Sequence, residues 1–341
     1  MSEISNKPGL ISSITVYSDR FKVYYASNGV KKNSFADDVK LGLTSPKKFL
    51  LPKYFYDNAG SDLFEKICET PEYYVTRTET GIIKQNSEDI AGYNFNKKIL
   101  VELGSGSSQK TRYLLKSFIN NYYGLKYIPV DVSEILITSS LELLEEFDNL
   151  KIDGIHSEYE KGLLIAGEVI KEPKMILFLG SSIGNFNLHD ALEFIKLTAS
   201  IMSANDSFLI GFDMVKDINV LDAAYNDKDG ITAQFNLNLL KRINNELNGE
   251  FDLSKFRHKA FYNADDSRIE MHLVSLAEQD IFIHEIREKI HFDEGETIHT
   301  ENSYKFTDEM INKLASDAGL AIEKVWKDEK DYFALCLMRL S

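Results

Sequence analysis

The fold of this 341-residue chain is decided by residues 97–111, KKILVELGSGSSQKT. The apolar run ILVEL leads into a turn that contains Gly104 and Gly106, and the segment QKTRYLLKSFI follows. The apolar run is typical of a buried β-strand, and the segment after the turn has the apolar spacing of a helix. We therefore predict a strand, a glycine turn and a helix, which together begin a βαβ unit.

The same alternation of strand and helix continues along the middle of the chain. Three further apolar strands are predicted, in YIPVDVS (127–133), KMILFLGSSIGNF (174–186) and DSFLIGFDMV (206–215). Helical segments follow the first two, at 134–147 and 188–202. Strands that alternate with helices predict a parallel sheet covered on both faces. The fold class is therefore α/β, with a doubly wound Rossmann-like core.

The regions on either side of this core have different patterns. The segments ISSITVY (11–17) and FKVYYAS (21–27) predict a hairpin, and SDLFEKIC (61–68) predicts an amphipathic helix. After residue 216 the alternation ends, with a helical stretch at 225–248 followed by antiparallel strands in 268–283 and 287–301. Residues 307–340 indicate a helix and two strands that return to the core sheet.

Four regions follow from these patterns. Residues 1–81 are expected to contribute to a substrate-binding domain, and 82–216 to form the nucleotide-binding core. Residues 217–305 are expected to be an inserted, β-containing substrate-binding domain, because this block is too long and too structured for a loop. Residues 306–341 are expected to complete the core sheet.

Composition limits the partners and the location. The chain has 39 Lys and Arg against 53 Asp and Glu, a net charge of -14, and this charge disfavours nucleic acid and anionic membranes as partners. No apolar run is long enough to span a bilayer, and MSEISNKPGL lacks the apolar core of a secretory signal. We expect a cytoplasmic monomer that acts on a small molecule. The seven histidines and two cysteines show no metal-binding spacing, so no metal is expected.

Three polar features come at predicted strand ends, where ligands bind in doubly wound sheets. The E-x-G-x-G turn at Gly104 lacks the full dinucleotide motif, which favours S-adenosylmethionine (SAM) over NAD, although a plain turn would look similar. Asp131 is placed to accept hydrogen bonds from ribose hydroxyls, or to cap the next helix. Asn185 could bind an amino acid at both its amine and its carboxylate, or simply occupy a turn.

Aromatic residues are dense in the segment before the core. Tyr54, Phe55 and Tyr56 are followed by Tyr73 and Tyr74. Aromatic faces attract ammonium and sulfonium groups, so these residues suggest an aromatic wall beside a cation. The motifs of P-loop NTPases and of serine hydrolases are missing from the sequence, which disfavours phosphoryl transfer and serine hydrolysis.

Taken together, seven segments resemble one family, the SAM-dependent histidine-specific methyltransferases of ergothioneine biosynthesis. The resemblance extends from about Phe35 to Leu340, and its segments occur in the family's order. They are LPKYFYDNAGSDLFEKICETPEYYVTRTE, VELGSGSSQKT, YIPVDVS, LFLGSSIGNF, AYNDKDGITAQFNLNLL, RIEMHL and ETIHTENSYKF.

The resemblance implies a class I methyltransferase core that uses SAM to trimethylate the α-amine of L-histidine, which gives hercynine. It places Tyr73 beside the α-amine as the catalytic residue. Glu158-Tyr159 stands where the family usually has Asp-Phe near the adenine, so that contact is less well defined. The implied cofactor-binding residues are Tyr56, Gly104, Lys110, Asp131, Glu158 and Tyr159. The implied substrate-binding residues are Tyr73, Asn185, Tyr225, Met271, Glu301 and Ser303.

Three other functions fit parts of the pattern. Fungal methyltransferases of prenylated tryptophan share the fold, but polar Glu301 and Ser303 disfavour an indole pocket. A nucleotide-dependent oxidoreductase is disfavoured by the incomplete glycine motif. A SAM-binding regulator without catalysis would leave the substrate-side residues unexplained.

Overall fold

The computed structural model describes residues 9–27, 34–93 and 98–341. Its strands are β1 (Ile11–Ser18), β2 (Phe21–Ala26), β3 (Ile99–Leu103), β4 (Leu125–Asp131), β5 (Leu150–His156), β6 (Met175–Phe178), β7 (Ser207–Asp213), β8 (Phe256–Asn263), β9 (Arg268–Ser275), β10 (Gln279–Ile283), β11 (Glu288–Phe292), β12 (Thr297–Tyr304), β13 (Leu320–Lys327) and β14 (Phe333–Leu340). Its helices are α1 (Phe35–Thr44), α2 (Asn58–Glu69), α3 (Val75–Gly92), α4 (Thr111–Tyr122), α5 (Ile135–Glu146), α6 (Tyr159–Val169), α7 (Leu188–Ile201), α8 (Ile218–Ala224), α9 (Ile231–Leu247) and α10 (Asp308–Asp317).

A nine-stranded sheet forms the centre of the molecule, in the order β1-β2-β5-β4-β3-β6-β7-β14-β13. The strands from β2 to β7 pair in parallel, whereas β1, β14 and β13 are antiparallel to their neighbours. The chain moves outward from β3 in both directions, which is the doubly wound arrangement. The predicted α/β fold class is therefore confirmed. The sequence patterns missed β5, whose residues KIDGIH mix exposed and buried positions.

The predicted N-terminal hairpin is present, but it lies in the core sheet. Strand β2 pairs in parallel with β5, where Phe21 and Val23 are buried. The guanidinium of Arg20 donates hydrogen bonds to the carbonyl oxygens of Leu144, Phe147 and Asp148 at the end of α5. The hairpin therefore extends the core sheet, which differs from the expected role of residues 1–81 in a substrate-binding domain.

Later residues of the N-terminal region do contact the block 217–305, called the insert below. Helix α2 and the short helical turn Pro52–Phe55 pack against α9 of the insert. The rings of Phe55 and Phe235 stack with centroids 4.4 Å apart. Asn238 on α9 donates a hydrogen bond to the Asp57 carboxylate, which also caps α2 through the Gly60 N–H.

The insert contains α8, α9, a two-stranded sheet β10-β11 and a three-stranded sheet β12-β9-β8. The helical stretch predicted at 225–248 is present as α9, but the helix begins at Ile231, and residues 225–230 form a turn after α8. The Asp227 carboxylate accepts hydrogen bonds from the N–H groups of Ile231 and Thr232, and Gly230 has a φ of +68°. These bonds start a new helix after a turn, and Tyr225 occupies that turn.

No helix in the described part of the chain combines the length and the apolar character that crossing a membrane requires.

Candidate active site

The first half of the site lies where β3 and β4 end. Gly104 and Gly106 both have positive φ values, +71° and +49°, so the chain turns sharply after β3. The Asp131 carboxylate accepts hydrogen bonds from the Gly106 N–H and from the N–H and hydroxyl of Ser133. These bonds leave part of the acceptor capacity of the carboxylate unused, since a carboxylate has about four lone-pair positions. Asp131 is thus held beside the glycine turn.

Tyr159 closes the side of this turn. A Cβ added at Gly104 would lie 3.0 Å from the Tyr159 hydroxyl, so a side chain at Gly104 would collide with the ring. The Tyr159 ring packs edge-on against Phe178 at 5.2 Å, and Asp131 raises its pKa together with burial. Glu158, the N-cap of α6, precedes it. The predicted cofactor residues Gly104, Asp131 and Tyr159 therefore lie together.

Lys110 lies on the opposite side of the turn, in an ion pair. Its ammonium binds the carboxylate of Glu79, a fully buried residue of α3. The same carboxylate accepts two hydrogen bonds, of 2.8 and 2.9 Å, from the Gly180 N–H at the turn after β6. Glu79 therefore ties α3 and α4 to the end of β6, and it holds Lys110 at the strand ends.

The turn has the properties of a site that receives a nucleoside. The Ser105 hydroxyl is buried and has no hydrogen-bond partner among the described residues. A Cβ added at Gly106 would meet no atom within 4 Å, so the space beside the turn is open. An unpaired buried hydroxyl, an ionisable acceptor and an open glycine backbone fit the ribose and the amino-acid end of SAM.

An aromatic wall runs from the N-terminal region into the insert. In the structure it consists of Tyr56, Phe64, Tyr73 and Tyr225, whose rings follow one another with centroids 5.6, 6.3 and 6.1 Å apart. Tyr56 is 40% exposed although it contacts two other rings, so it faces an open cleft. Tyr54 and Tyr74, which the sequence grouped with this wall, instead bind Asp38 and Asp213.

A β-bulge directs Glu301 toward the wall. In the pairing of β12 with β9, His299 lies opposite His272, but the next paired residue, Glu301, lies opposite Met271. Thr300 is the extra residue, and its hydroxyl donates a hydrogen bond to the Met271 carbonyl. One extra residue reverses the alternation of side chains, so Glu301 shares a face with buried Met271.

Glu301 is half-buried, on the same face of the sheet as Met271. Burial raises its pKa to about 7, and the charge of Lys305 opposes that rise. Burial raises the pKa values of Tyr56, Tyr73 and Tyr225, and the charge of Glu301 adds to the rise. The Tyr225 hydroxyl is bonded to Ser303, which lies on the same face of β12 as Glu301. The predicted substrate residues on the insert and on the wall therefore converge on one cleft.

Ser303 and Tyr225 are joined by a hydrogen-bond network that sequence reasoning missed. The Tyr225 hydroxyl donates to Ser303 Oγ at 2.8 Å. The ammonium of Lys305 donates to Ser303 Oγ at 2.8 Å and to the Tyr225 hydroxyl at 3.2 Å. Lys305 is fully buried and forms an ion pair with Asp213. The spacing of Glu301, Ser303 and Lys305 was a signal, since alternate residues of a strand share a face.

Asn185 ends the short helical turn Ser182–Asn185, next to β12. A Cβ added at Gly184 would lie 2.9 Å from the backbone oxygen of Tyr304, so only glycine allows this close approach. The Asp213 N–H donates to Ser181 Oγ, which fixes the start of the turn. Asn185 therefore lies beside the strand that carries Ser303, on the core side of the cleft.

The chain is similar to known proteins along almost its whole length. Residues 35–340 match a family model described as histidine-specific methyltransferase, SAM-dependent. A histidine N-alpha-methyltransferase of Mycolicibacterium smegmatis is 38% identical over 301 residues, which cover 88% of this chain and 93% of that protein. Ergothioneine biosynthesis protein 1 of Neurospora crassa is 32% identical over 295 residues, which cover 81% of this chain and 32% of that protein. A 4-dimethylallyltryptophan N-methyltransferase of Claviceps purpurea is 26% identical over 337 residues, which cover 92% of this chain and 97% of that protein.

Proposed function

The chain belongs to the family of SAM-dependent, histidine-specific methyltransferases, and on that premise we propose that it methylates the α-amine of L-histidine three times to give hercynine. The observation that carries this proposal is that Tyr225 of the aromatic wall is hydrogen-bonded to Ser303, which shares a face of β12 with Glu301. This arrangement offers a carboxylate to the imidazole ring at one end and aromatic faces to a cation at the other. The likeness to Ergothioneine biosynthesis protein 1 supports a place for this reaction in ergothioneine biosynthesis.

SAM supplies a methyl group that its sulfonium activates for displacement. The residues of this chain then have to align the amine with that methyl group and exclude water. Asp131 and Tyr159 would hold the nucleoside end, and Lys110 with Glu79 would fix the neighbouring strand ends. Tyr56 lies between the two halves of the site and would contact the reacting groups.

Histidine would be held by its two polar ends. Tyr225 and Asn185 would bind the carboxylate, and the Tyr225 O–H would turn from Ser303 to do so. Lys305, which donates to the Tyr225 oxygen, would increase the donor strength of this O–H. Glu301 and Ser303 would bind the ring nitrogens, and Met271 would pack against the ring. A buried carboxylate favours a ring that offers an N–H and disfavours one that leaves it unpaired.

The wall supports repeated methylation. Burial raises the pKa of Tyr73 well above its ordinary value, so its phenol stays protonated and uncharged. An uncharged phenol can accept a hydrogen bond from the amine without forming a tight ion pair with the quaternary product. The released proton then has to leave through a water molecule rather than remain on Tyr73. Aromatic faces attract the trimethylated cation without needing an N–H.

Mass spectrometry of a reaction with excess SAM tests the proposal. We expect trimethylhistidine as the final product, and dimethylhistidine should bind at least as well as histidine in calorimetry. A reaction that stops at monomethylhistidine would contradict three rounds of transfer. A tryptophan derivative methylated in preference to histidine would instead place this chain with its Claviceps purpurea relative.

A protein that binds SAM without catalysing methyl transfer would have the same cofactor-binding residues. Calorimetry with S-adenosylhomocysteine, followed by histidine, separates the two functions. We expect histidine to bind with its affinity increased by the bound nucleoside, since both ligands face one cleft. Binding of the nucleoside with no histidine binding would contradict the proposed enzyme.

A further inference from the structure

The three-stranded sheet of the insert has a second polar face, away from the aromatic wall. A groove of about 640 Å³ lies on this face, and the proposed methyl transfer does not use it. Its lining includes Lys48, Arg268, Glu270, His272 and His299.

Strand geometry brings three of these side chains together. Glu270 and His272 are alternate residues of β9, so they share a face, and His299 lies directly opposite His272 on β12. His272 Nε2 lies 3.1 Å from Glu270 Oε2, and the two imidazole centroids are 5.0 Å apart. One ligand atom from each residue lies within 4.8 Å of the other two. Histidines that were isolated in the sequence therefore meet through strand register.

Hydrogen bonds orient the Glu270 carboxylate toward the imidazole of His272. Arg268 and Asn263 bind Oε1 of Glu270, which leaves Oε2 directed at His272.

The surroundings also fix the ring positions. The Phe261 ring stacks on His272 with an interplanar angle of 11°. His272 Nδ1 is buried and has no hydrogen-bond partner among the described residues. The His272 ring is thus held by packing, with one nitrogen already unsatisfied, and little side-chain entropy remains to be lost on binding.

We propose that Glu270, His272 and His299 form a binding site for a divalent transition-metal ion, with Zn²⁺ the best match. Two imidazoles and one carboxylate are a typical three-residue set for Zn²⁺, and the fourth position would open to the groove for water. Zinc–ligand distances of about 2.0–2.1 Å require ligand atoms about 3.3 Å apart in a tetrahedron. The pair His272–Glu270 already meets that separation, so His299 has to approach by up to about 1.5 Å.

An ion at this position would stabilise the insert. It would join β9 to β12 at the bulge around Thr300. Met271 and Glu301 lie on the other face of the same two strands, so the ion would stabilise the part of the insert that carries the substrate-side residues. The ion would not contact the reacting groups.

The test uses untagged protein that has been treated with a chelator and then titrated with ZnCl₂ in a calorimeter. We expect one Zn²⁺ per chain, and at least a 30-fold weaker affinity in the double variant His272→Gln/His299→Gln. Replacement of Zn²⁺ by Co²⁺ should give visible absorption bands in the parent protein and not in the double variant. Ca²⁺ should not compete, because it prefers a larger set of oxygen ligands.

His291→Gln is the matched control. His291 lies near the carboxylates of Asp280 and Asp293 but is exposed on β11, outside the proposed set. This variant should keep the Zn²⁺ affinity of the parent. Circular dichroism verifies that each variant is folded. Equal Zn²⁺ affinity in the parent and the folded double variant, or no saturable binding by the parent, would overturn the proposal.

Discussion

The ammonium of Lys305 lies 2.8 Å from the carboxylate of Asp213, and neither side chain is accessible to solvent. Lys305 also donates hydrogen bonds to Ser303 and Tyr225, two residues proposed to contact histidine. Burial opposes ionisation of Asp213, yet Lys305 and Lys216 lower its pKa below the ordinary value. A fixed positive charge therefore lies directly behind the Tyr225 hydroxyl, which would receive the carboxylate of histidine.

Lys305→Met should weaken both stability and histidine use. Removing one partner of a buried ion pair costs about 3–5 kcal/mol, which urea unfolding would measure. Loss of the charge behind Tyr225 should also raise KM for histidine by about 10-fold or more, as expected for a hydrogen bond to a charged group.

Lys174→Met is the control, because Lys174 and Asp206 form another buried ion pair, at the start of β7. It should lose comparable stability while KM for histidine stays at the parent value. Equal effects of the two variants on KM would show that Lys305 acts only through stability.

Glu301→Ala should change the preference for side chains. Loss of a charge-assisted hydrogen bond to the imidazole should lower kcat/KM for histidine by about 10- to 100-fold. Phenylalanine and tryptophan should be used relatively better, because no buried carboxylate is left unpaired. Competition assays with the three amino acids measure this ratio. Asn302→Ala, on the opposite face of β12, should keep the parent ratio; a parent-like ratio in Glu301→Ala would place the imidazole contact elsewhere.

Glu301 should also make stability depend on pH. Burial raises its pKa in the folded protein to about 7, above the ordinary value of 4.5, so the folded state binds the proton more tightly. The stabilisation is therefore complete at low pH and is lost as pH rises through 7. Between pH 5 and pH 8 the parent should lose on the order of 2–3 kcal/mol relative to Glu301→Gln. Urea unfolding of both proteins measures the difference, which also cancels the titration of buried Glu102. Parallel pH profiles would show that Glu301 does not titrate in this range.

Asp131→Ala should remove most of the affinity for the methyl donor. Two hydrogen bonds from ribose hydroxyls to a carboxylate contribute roughly 2–5 kcal/mol. Calorimetry with S-adenosylhomocysteine should therefore show a loss of about 30-fold or more. Asp153→Ala serves as the control, because Asp153 lies on the adjacent strand β5 and pairs with Lys22 and Lys126. Unchanged affinity in Asp131→Ala would remove this residue from the cofactor site.

The sequence predicted the core strands better than it predicted which side chains point into the cleft. The strands β3, β4, β6 and β7 were predicted because each is a continuous apolar run, which a sheet buried on both faces requires. The bulge at Thr300 could not be predicted, since nothing in TIHTENSY marks the extra residue. Without that bulge, strict alternation would place Glu301 on the same face as His299. The resemblance identified Glu301, while the geometry that directs it inward appears only in the pairing.

The ion pairs between residues far apart in the chain could not be predicted from the sequence either. Glu79 lies in a helix that the residue patterns did not identify, and its partners Lys110 and Gly180 follow two different strands. Lys305 and Asp213 are separated in the chain by the whole insert. Pairing of this kind depends on which strands become neighbours, and no local pattern of residues contains that information.

Asp213 lies where the chain both leaves and re-enters the central sheet. Lys216, just before the insert, and Lys305, at its end, bind the same carboxylate, and Phe306 donates its N–H to the Asp213 carbonyl. Both connections of the roughly ninety residues between them are therefore fastened at one carboxylate. Exchange of this segment for that of a relative would leave every strand of the central sheet with its neighbours. The new segment would have to match α2 and the turn Pro52–Phe55 as well as Asp213, which one lysine binds at either end.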